Sequence, residues 1–327
     1  MKRGNIIILW VLPIPVILVS LLVGPSESIS PAAVIDALLN DEGNKLLLKS
    51  IIIDIRLPRI LLTFLVGGSL AVSGCSMQAI FRNPLTDSYI LGLSSGAAFG
   101  AALALAVQIM PVQLSAFVFG LLAVGLSYFM AMKNKNVTIV SLILAGIIVT
   151  GIFTALLTIV QFLSDPFRLQ SIIHWTMGNL HNASWGKLKS SVMPMTAGLI
   201  IMFILRWRLN VLALGDDEAK TVGINPEKDK LIILIAATLA SSSAVAVAGI
   251  IGLYGLVVPH MVRMLAGPDN RKLIPSNFVL GGTFLLIIDD FSRSFSGFEI
   301  PIGVFTMLLG APVFILLMKK TNIGWNS

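Results

Sequence analysis

Long apolar runs alternate with short charged segments along the whole of this chain. The clearest run extends from Ile60 to Phe81 without a charge and is bounded by Arg59 and Arg82. About 20 apolar residues cross the roughly 30 Å hydrocarbon core of a bilayer, so this run predicts a spanning helix. Small residues recur in it at helical spacing: Gly67 and Ala71, Ser69 and Ser73, with Gly68 and Gly74 between. In lipid no hydrophobic force pulls helices together, and small residues let them approach closely. The run therefore predicts a span packed among its neighbours rather than bathed in lipid.

Ten spans fit the pattern best, over residues 5–23, 58–81, 88–109, 112–132, 137–162, 190–209, 231–250, 253–266, 274–294 and 301–318. The expected fold is all-α, a single membrane domain over 1–327 with about ten transmembrane helices. Leu231 to Val262 is an uncharged run of 32 positions, long for one helix and short for two. Gly249, Gly252, Gly255 and Pro259 interrupt it, which predicts one full span and one short, irregular one. Irregular backbone at membrane depth is tolerated where protein or a water-filled cavity covers it. The basic start and the run Ile6–Val23 have the outline of a signal peptide. Gly24-Pro25-Ser26-Glu27 lacks an Ala-x-Ala pattern, however, so a retained first span is expected. Residues 24–57 predict a short surface helix opened at Ser30. Residues 163–189 hold His174, His181, Trp175 and Trp185, whose indoles suit a membrane interface.

Composition narrows the class. Of 327 residues, 56% are hydrophobic and 12% charged, with a mean hydropathy of +0.92; soluble domains carry about 25% charged residues. A formal charge of +7 would suit nucleic acid, but the cations fall in loops between apolar runs, where they orient a protein in the membrane. With ten spans, 15 of the 23 Lys and Arg share the side of the termini, which puts both termini in the cytoplasm. Membrane lipid, not nucleic acid, is the expected surrounding. The single cysteine, Cys75, excludes an internal disulfide, and no Cys/His cluster has metal-ligand spacing.

Enzyme machinery is missing from the sequence. There is no Gly-x-x-x-x-Gly-Lys-Ser/Thr loop to hold ATP, no Gly-x-Ser-x-Gly elbow and no His-Glu-x-x-His pair. Any process this chain drives must draw its energy from a partner or an ion gradient. Leu214–Pro226 begins with Asp216-Asp217-Glu218 and stops at Gly223-Ile224-Asn225-Pro226, a compact helix-turn unit. Asp289 and Asp290 close an apolar run. Acids at the centre of a spanning helix cost about 2.5–3.5 kcal/mol on insertion scales, and Arg293 lies one turn beyond Asp289, close enough to pair with it. His260 follows Pro259 in the irregular run, as a proton carrier, a ligand or, the commoner case, a hydrogen-bonded structural residue. Arg56 and Arg59 can anchor a helix at the interface by snorkelling.

Arg56-Leu57-Pro58-Arg59, Gly74-x-x-x-Gln78, Arg82-Asn83-Pro84-Leu85 and Leu91-Gly92, in this order and spacing, resemble the permease subunits of ABC importers for iron-siderophores, haem and cobalamin. These are the FecCD/BtuC-like, type II importers. Further similar words extend the resemblance to Pro312: Trp175-x-Met177-Gly178-x-Leu180, Leu214-Gly215-Asp216-x-x-Ala219-x-x-x-Gly223, Gly255-Leu256-x-x-Pro259-His260-x-x-Arg263, Asp289-x-x-x-Arg293, Glu299-x-Pro301-x-Gly303 and Gly310-x-Pro312. One departure is Asn270, where the family usually has histidine, so no specific role is carried over to that position.

The resemblance implies a single ten-span permease domain in the cytoplasmic (inner) membrane. It also implies a homodimer with the pathway on its two-fold axis, two ABC ATPase subunits beneath and one extracytoplasmic substrate-binding protein above. On this likeness Gly215, Asp216, Ala219 and Gly223 frame the segment that docks on the ATPase. Arg56, Arg59 and Arg293 receive the binding protein's acidic residues, and Asn83 and Leu85 border the inner gate. No catalytic residue, metal or cofactor is expected in the chain. The competing readings are a proton-coupled secondary transporter, with Asp289, Asp290 or His260 as carriers, and an integral membrane enzyme. Acids deep within several spans, or a convergent catalytic cluster, would favour these, and the sequence has neither. Siderophore, haem, cobalamin and oxyanion importers would share these words, so the substrate stays open.

Overall fold

The computed structural model describes residues 10–24, 30–39, 44–133, 136–294 and 299–321. The chain opens with α1 (Pro13–Leu22) and the short helices α2 (Pro31–Leu39) and α3 (Asn44–Ser50). Ser30 opens α2 as expected, its Oγ accepting the Ala33 N–H at 3.2 Å. A π-helical stretch, Ile51–Arg56, joins α3 to α4 (Leu57–Phe81). Next come α5 (Leu93–Val107) and α6 (Val112–Ala131), then β1 (Met132–Lys133) paired antiparallel with β2 (Asn136–Val137), then α7 (Ile139–Leu163). The rest is helical: α8 (Pro166–Thr176), α9 (Trp185–Ile204), α10 (Arg206–Leu214), α11 (Asp216–Thr221), α12 (Pro226–Ala248), α13 (Tyr254–Ala266), α14 (Asn270–Ser294) and α15 (Ile302–Thr321).

A helix overlaps each of the ten expected segments. Six are long and apolar enough to cross a membrane: the continuous Leu46–Phe81, α6, α7, α9, α12 and α14. Pro13–Leu22, Leu93–Val107 and Ile302–Leu316 are shorter apolar helices, and α13 has only 13 residues. The expected span over 88–109 starts late, at Leu93, because residues 83–92 form turns. Asp87 Oδ1 accepts the Tyr89 N–H at 3.0 Å, and Gly92 takes a left-handed φ of 82°. The expected span over 190–209 breaks at Leu205, where α9 gives way to α10. The interruption expected between 231 and 262 lies at 249–253, flanked by Gly249 (φ 70°) and Leu253 (φ 61°).

Helix α4 is the centre of the bundle, packed along α14 and touching α12, α13 and α9. The most apolar window of the α4 run is 83% buried against 22% for α7, so α4 is an inner helix and α7 an outer one. The small-residue spacing read from the sequence accounts for this. A Cβ at Gly74 would collide with the backbone of Gly255 in α13, and one at Gly67 with the carbonyl of Gly281 in α14. Backbone contact of this kind gives dispersion energy where burial from water gives none.

Candidate functional site

Polar side chains gather at the two ends of the bundle. At the Arg82 end, α4 stops in a Schellman turn: the Asn83 N–H donates to Gln78 O at 3.2 Å and the Arg82 N–H to Ala79 O at 3.3 Å, with Arg82 left-handed at φ 52°. The turn points Arg82 at α11. Its Nη2 donates to Asp216 Oδ1 at 2.7 Å, and Lys230 Nζ reaches the two oxygens of the same carboxylate at 2.6 and 2.8 Å. Asp216 thus ties α11 to the ends of α4 and α12.

Helix α11 is short, six residues from Asp216 to Thr221. Its acidic first turn suits the positive end of the helix dipole. A second Schellman turn stops it, with the Ile224 N–H bonded to Ala219 O at 2.9 Å and the Gly223 N–H to Lys220 O at 3.0 Å. Gly223 sits at φ 79°, which only glycine adopts without strain. Ala219 is fully buried beneath the helix, while Asp217, Glu218, Lys220 and Thr221 face outward. Gly215, Asp216, Ala219 and Gly223 therefore form one rigid unit.

Neighbouring contacts hold that unit to the bundle. Asn225 Oδ1 caps α12 by accepting the Lys228 N–H at 3.1 Å, and Arg208 of α10 donates to the buried Asp229 at 2.8 and 2.9 Å. Asn210 donates to Asp269 at 2.6 Å and accepts the Asn270 N–H at 2.7 Å, joining α10 to the start of α14. The Arg271 guanidinium, with Asn210, pulls the Asp269 carboxyl down to a pKa of about 2. Sequence reading did not identify Asp229, Lys230 or Asn210, because their partners lie 14 to 60 positions away and no short motif links them.

Asn83 and Leu85 lie in the turns after α4. Asn83 Oδ1 accepts the Leu85 N–H at 2.9 Å, and Asn83 O accepts both the N–H and the Oγ1 hydroxyl of Thr86. Leu85 leaves an apolar side chain exposed beside α11's end of the bundle. His260, on α13, is buried, and its Nε2 has no hydrogen-bond partner among the described residues. The expected structural hydrogen bond is therefore missing at that nitrogen. Arg263, one turn on, donates to Gln78 Oε1 at 2.8 Å instead.

At the opposite, Arg59 end, Arg56, Arg59 and Arg293 do not present themselves to an incoming partner. They are 4%, 6% and 2% exposed. Arg59 forks onto Asp289 (2.8–3.2 Å) and Glu299 (2.8 and 3.0 Å), joining α4 to α14 and to the approach to α15. Arg293 pairs closely with Asp290 and donates to Ser20 O at 2.8 Å, while Asp289 is only a distant neighbour at 3.9 Å. Arg56 donates to Leu21 O at 2.6 Å. A buried guanidinium must be paired, and Asp289, Asp290 and Glu299 supply the charge. The sequence showed the local Asp289–Arg293 spacing; the stronger Arg59–Asp289 pair bridges 230 positions and left no local signal.

Beside this charged cluster, α8 and the loop to α9 wall a cavity of about 680 Å³ with Gln113, Gln170, Lys187 and Ala246–Gly249. His174 and His181 line it, and also an adjoining cavity of about 340 Å³ that reaches Arg59 and Glu299. Trp185 leaves the cavity wall and donates its indole N–H to Ile53 O at 3.0 Å.

The comparisons with known proteins agree with this architecture. A Helicobacter pylori protein, "Probable iron chelatin transport system permease protein", is 38% identical over 84% of each chain. The Haemophilus influenzae molybdate import system permease protein MolB is 37% identical over 84% of this chain and 83% of its own. A solved inward-facing transporter, described as of metal-chelate type within the ABC class, superimposes with a TM-score of 0.87 at 34% identity, over 98% of this chain and all of its own. The FecCD transport family matches residues 9–320. With its apolar helices and these relatives, the chain belongs to the FecCD transport family as a transmembrane ABC transporter permease.

Proposed function

We propose that this chain is the membrane-spanning subunit of an importer that carries an iron-siderophore, haem, cobalamin or related substrate across the cytoplasmic membrane. ATP is hydrolysed on two separate ATPase subunits, and a binding protein delivers substrate from outside. In this reading the chain crosses ten times, with both termini and α11 in the cytoplasm and the Arg59 end outside. Two copies enclose the pathway, which Asn83 and Leu85 border at the inner end. This chain performs no covalent chemistry.

The observation that carries the reading is the mounting of α11. A short helix, stopped by a capping turn and anchored by Asp216 to Arg82 and Lys230, can move as a rigid body. Pushed from below when the ATPases close, it shifts the end of α4 and the Asn83–Leu85 turn directly. Rigid-body displacement of packed elements is how small movements become gate opening. Gly215, Asp216, Ala219 and Gly223 are the frame of this coupling segment.

The binding protein docks on the Arg59 end. For Arg56, Arg59 and Arg293 to receive its carboxylates, those carboxylates must replace or join Asp289, Asp290 and Glu299. The burial of the three arginines favours a bracing role for them under the docking surface. Proton-coupled transport is the weaker reading, since Asp289 and Asp290 are held by arginines.

Co-expression with the partner ATPase tests the coupling assignment. Wild type is expected to co-purify with it, and Gly223→Pro, which cannot adopt a positive φ, to lose the complex or its transport-coupled ATPase activity. An unchanged, coupled complex with Gly223→Pro would remove α11 from the mechanism.

A further inference from the structure

The importer reading leaves His174 and His181 without a role. We propose that the two imidazoles form a transient coordination site for an anionic metal chelate that keeps two adjacent exchangeable positions on its metal. This deepens, and rests on, the importer reading: the site would lie at the outer mouth.

Spacing is the first support. The ring centroids are 4.9 Å apart with planes inclined at 72°. A metal–imidazole bond of about 2.0–2.1 Å puts the ring centre about 3.2 Å from the metal. Two rings on adjacent positions of one metal, about 90–110° apart, then have centroids about 4.5–5.2 Å apart, a range that includes the observed spacing. Both side chains are exposed to the cavity rather than locked in the core.

Ring access is suitable too. Asn179 Nδ2 lies 3.3 Å from His174 Nδ1 and donates to His174 O at 3.1 Å. Ligation through Nδ1 replaces that long amide contact, and ligation through Nε2 takes the other tautomer, with the ring proton on Nδ1.

The rest of the cavity defines the ligand. Its charged wall residue is Lys187, joined by the carboxamides of Gln113, Gln170, Asn179 and Asn182; among the described residues no carboxylate lines it, Glu299 lying in the adjoining cavity. About 680 Å³ is within the usual range of about 300–1,000 Å³ for a small-molecule site. Among the described residues no group of three or more His, Cys, Asp or Glu is placed to hold a metal ion. Two imidazoles therefore leave most positions to the chelate's own donors, and a ligand in transit must bind weakly enough to leave. Chelates whose six positions are all filled by their own donors would pass without ligation.

Nickel(II) nitrilotriacetate, an anion with two adjacent open positions on its metal, and nickel(II) EDTA, an anion whose metal is filled by its own donors, separate metal ligation from mere fit. Each is titrated into the purified full chain and followed by calorimetry and by the nickel absorbance band. The expected result is a band shift for the nitrilotriacetate chelate on wild type that is lost in His174→Ala/His181→Ala, with no shift for the EDTA chelate on either. His174→Gln/His181→Gln, checked as monodisperse, should behave as the Ala variant. No shift on wild type, a shift that survives both variants, or an equal shift with the EDTA chelate overturns the proposal. The titration needs neither ATP nor ATPase, so its failure is distinct from failure of ATP-driven transport, which is read separately in vesicles.

Discussion

Removing the Asp216 carboxylate should uncouple this permease while leaving it folded. Asp216 meets Arg82 at 2.7 Å and Lys230 at 2.6 Å, with side chains 41%, 34% and 20% exposed. Pairs as exposed as these are worth about 0.2–1 kcal/mol each after solvent screening. Asp216→Asn should then cost about 0.5–2 kcal/mol in all, a small loss for a bundle held by its helix packing. Coupling is more sensitive, because about 1 kcal/mol changes an equilibrium between two arrangements about fivefold. A double-mutant cycle isolates the link between α4 and α11. Asp216→Asn, Arg82→Gln and the double variant are compared by transport per ATP hydrolysed and by melting of the detergent-solubilised complex. The expected interaction is about 0.5–1 kcal/mol, weaker at high salt. Arg82→Gln alone should be milder than Asp216→Asn, since Lys230 still holds α11. Strict additivity, or an Asp216→Asn variant that couples as wild type, would refute the proposed transmission.

Other perturbations follow from the same contacts. Gly74→Val puts a branched side chain into the Gly255 backbone and should cost about 3 kcal/mol or more, seen as lost monodispersity, whereas Gly125→Val, with open space around it, should purify normally. Arg59→Ala leaves fully buried Asp289 without its main cation, and breaking such a pair costs about 3–5 kcal/mol; adding Asp289→Asn should recover part of the lost melting temperature. Asp269 is held at a pKa of about 2, below its ordinary 3.8, so its stabilising contribution is present above about pH 4 and is lost as pH falls through about 2. The melting-temperature difference between wild type and Asp269→Asn should accordingly stay constant near neutrality and shrink in acid.

Features set by neighbouring residues are legible in the sequence itself. The small-residue spacing of α4 indicates an inner helix, Ser30 marks the start of α2, and Gly249 lies at the break after α12. The acidic start and glycine stop of α11 likewise mark its two ends. Long-range pairing is not legible in this way. Arg59 looks like a surface anchor because nothing within a helical turn can neutralise it, and its partners lie 230 and 240 positions away. The late start of α5 is hidden because the apolar run covers a chain of turns whose hydrogen bonds are made by Asn83 and Asp87. His174 and His181 read only as loop residues. Their pairing depends on the path of the chain from α8 towards α9, which hydropathy does not encode.

The most direct test of ATP-driven import is uptake into proteoliposomes holding this chain with its ATPase, supplied with a binding protein and labelled substrate. Uptake is expected only with ATP on the ATPase side, unaffected by a protonophore, and reduced by Asp216→Asn. Uptake driven by a pH gradient in vesicles holding this chain alone would contradict it.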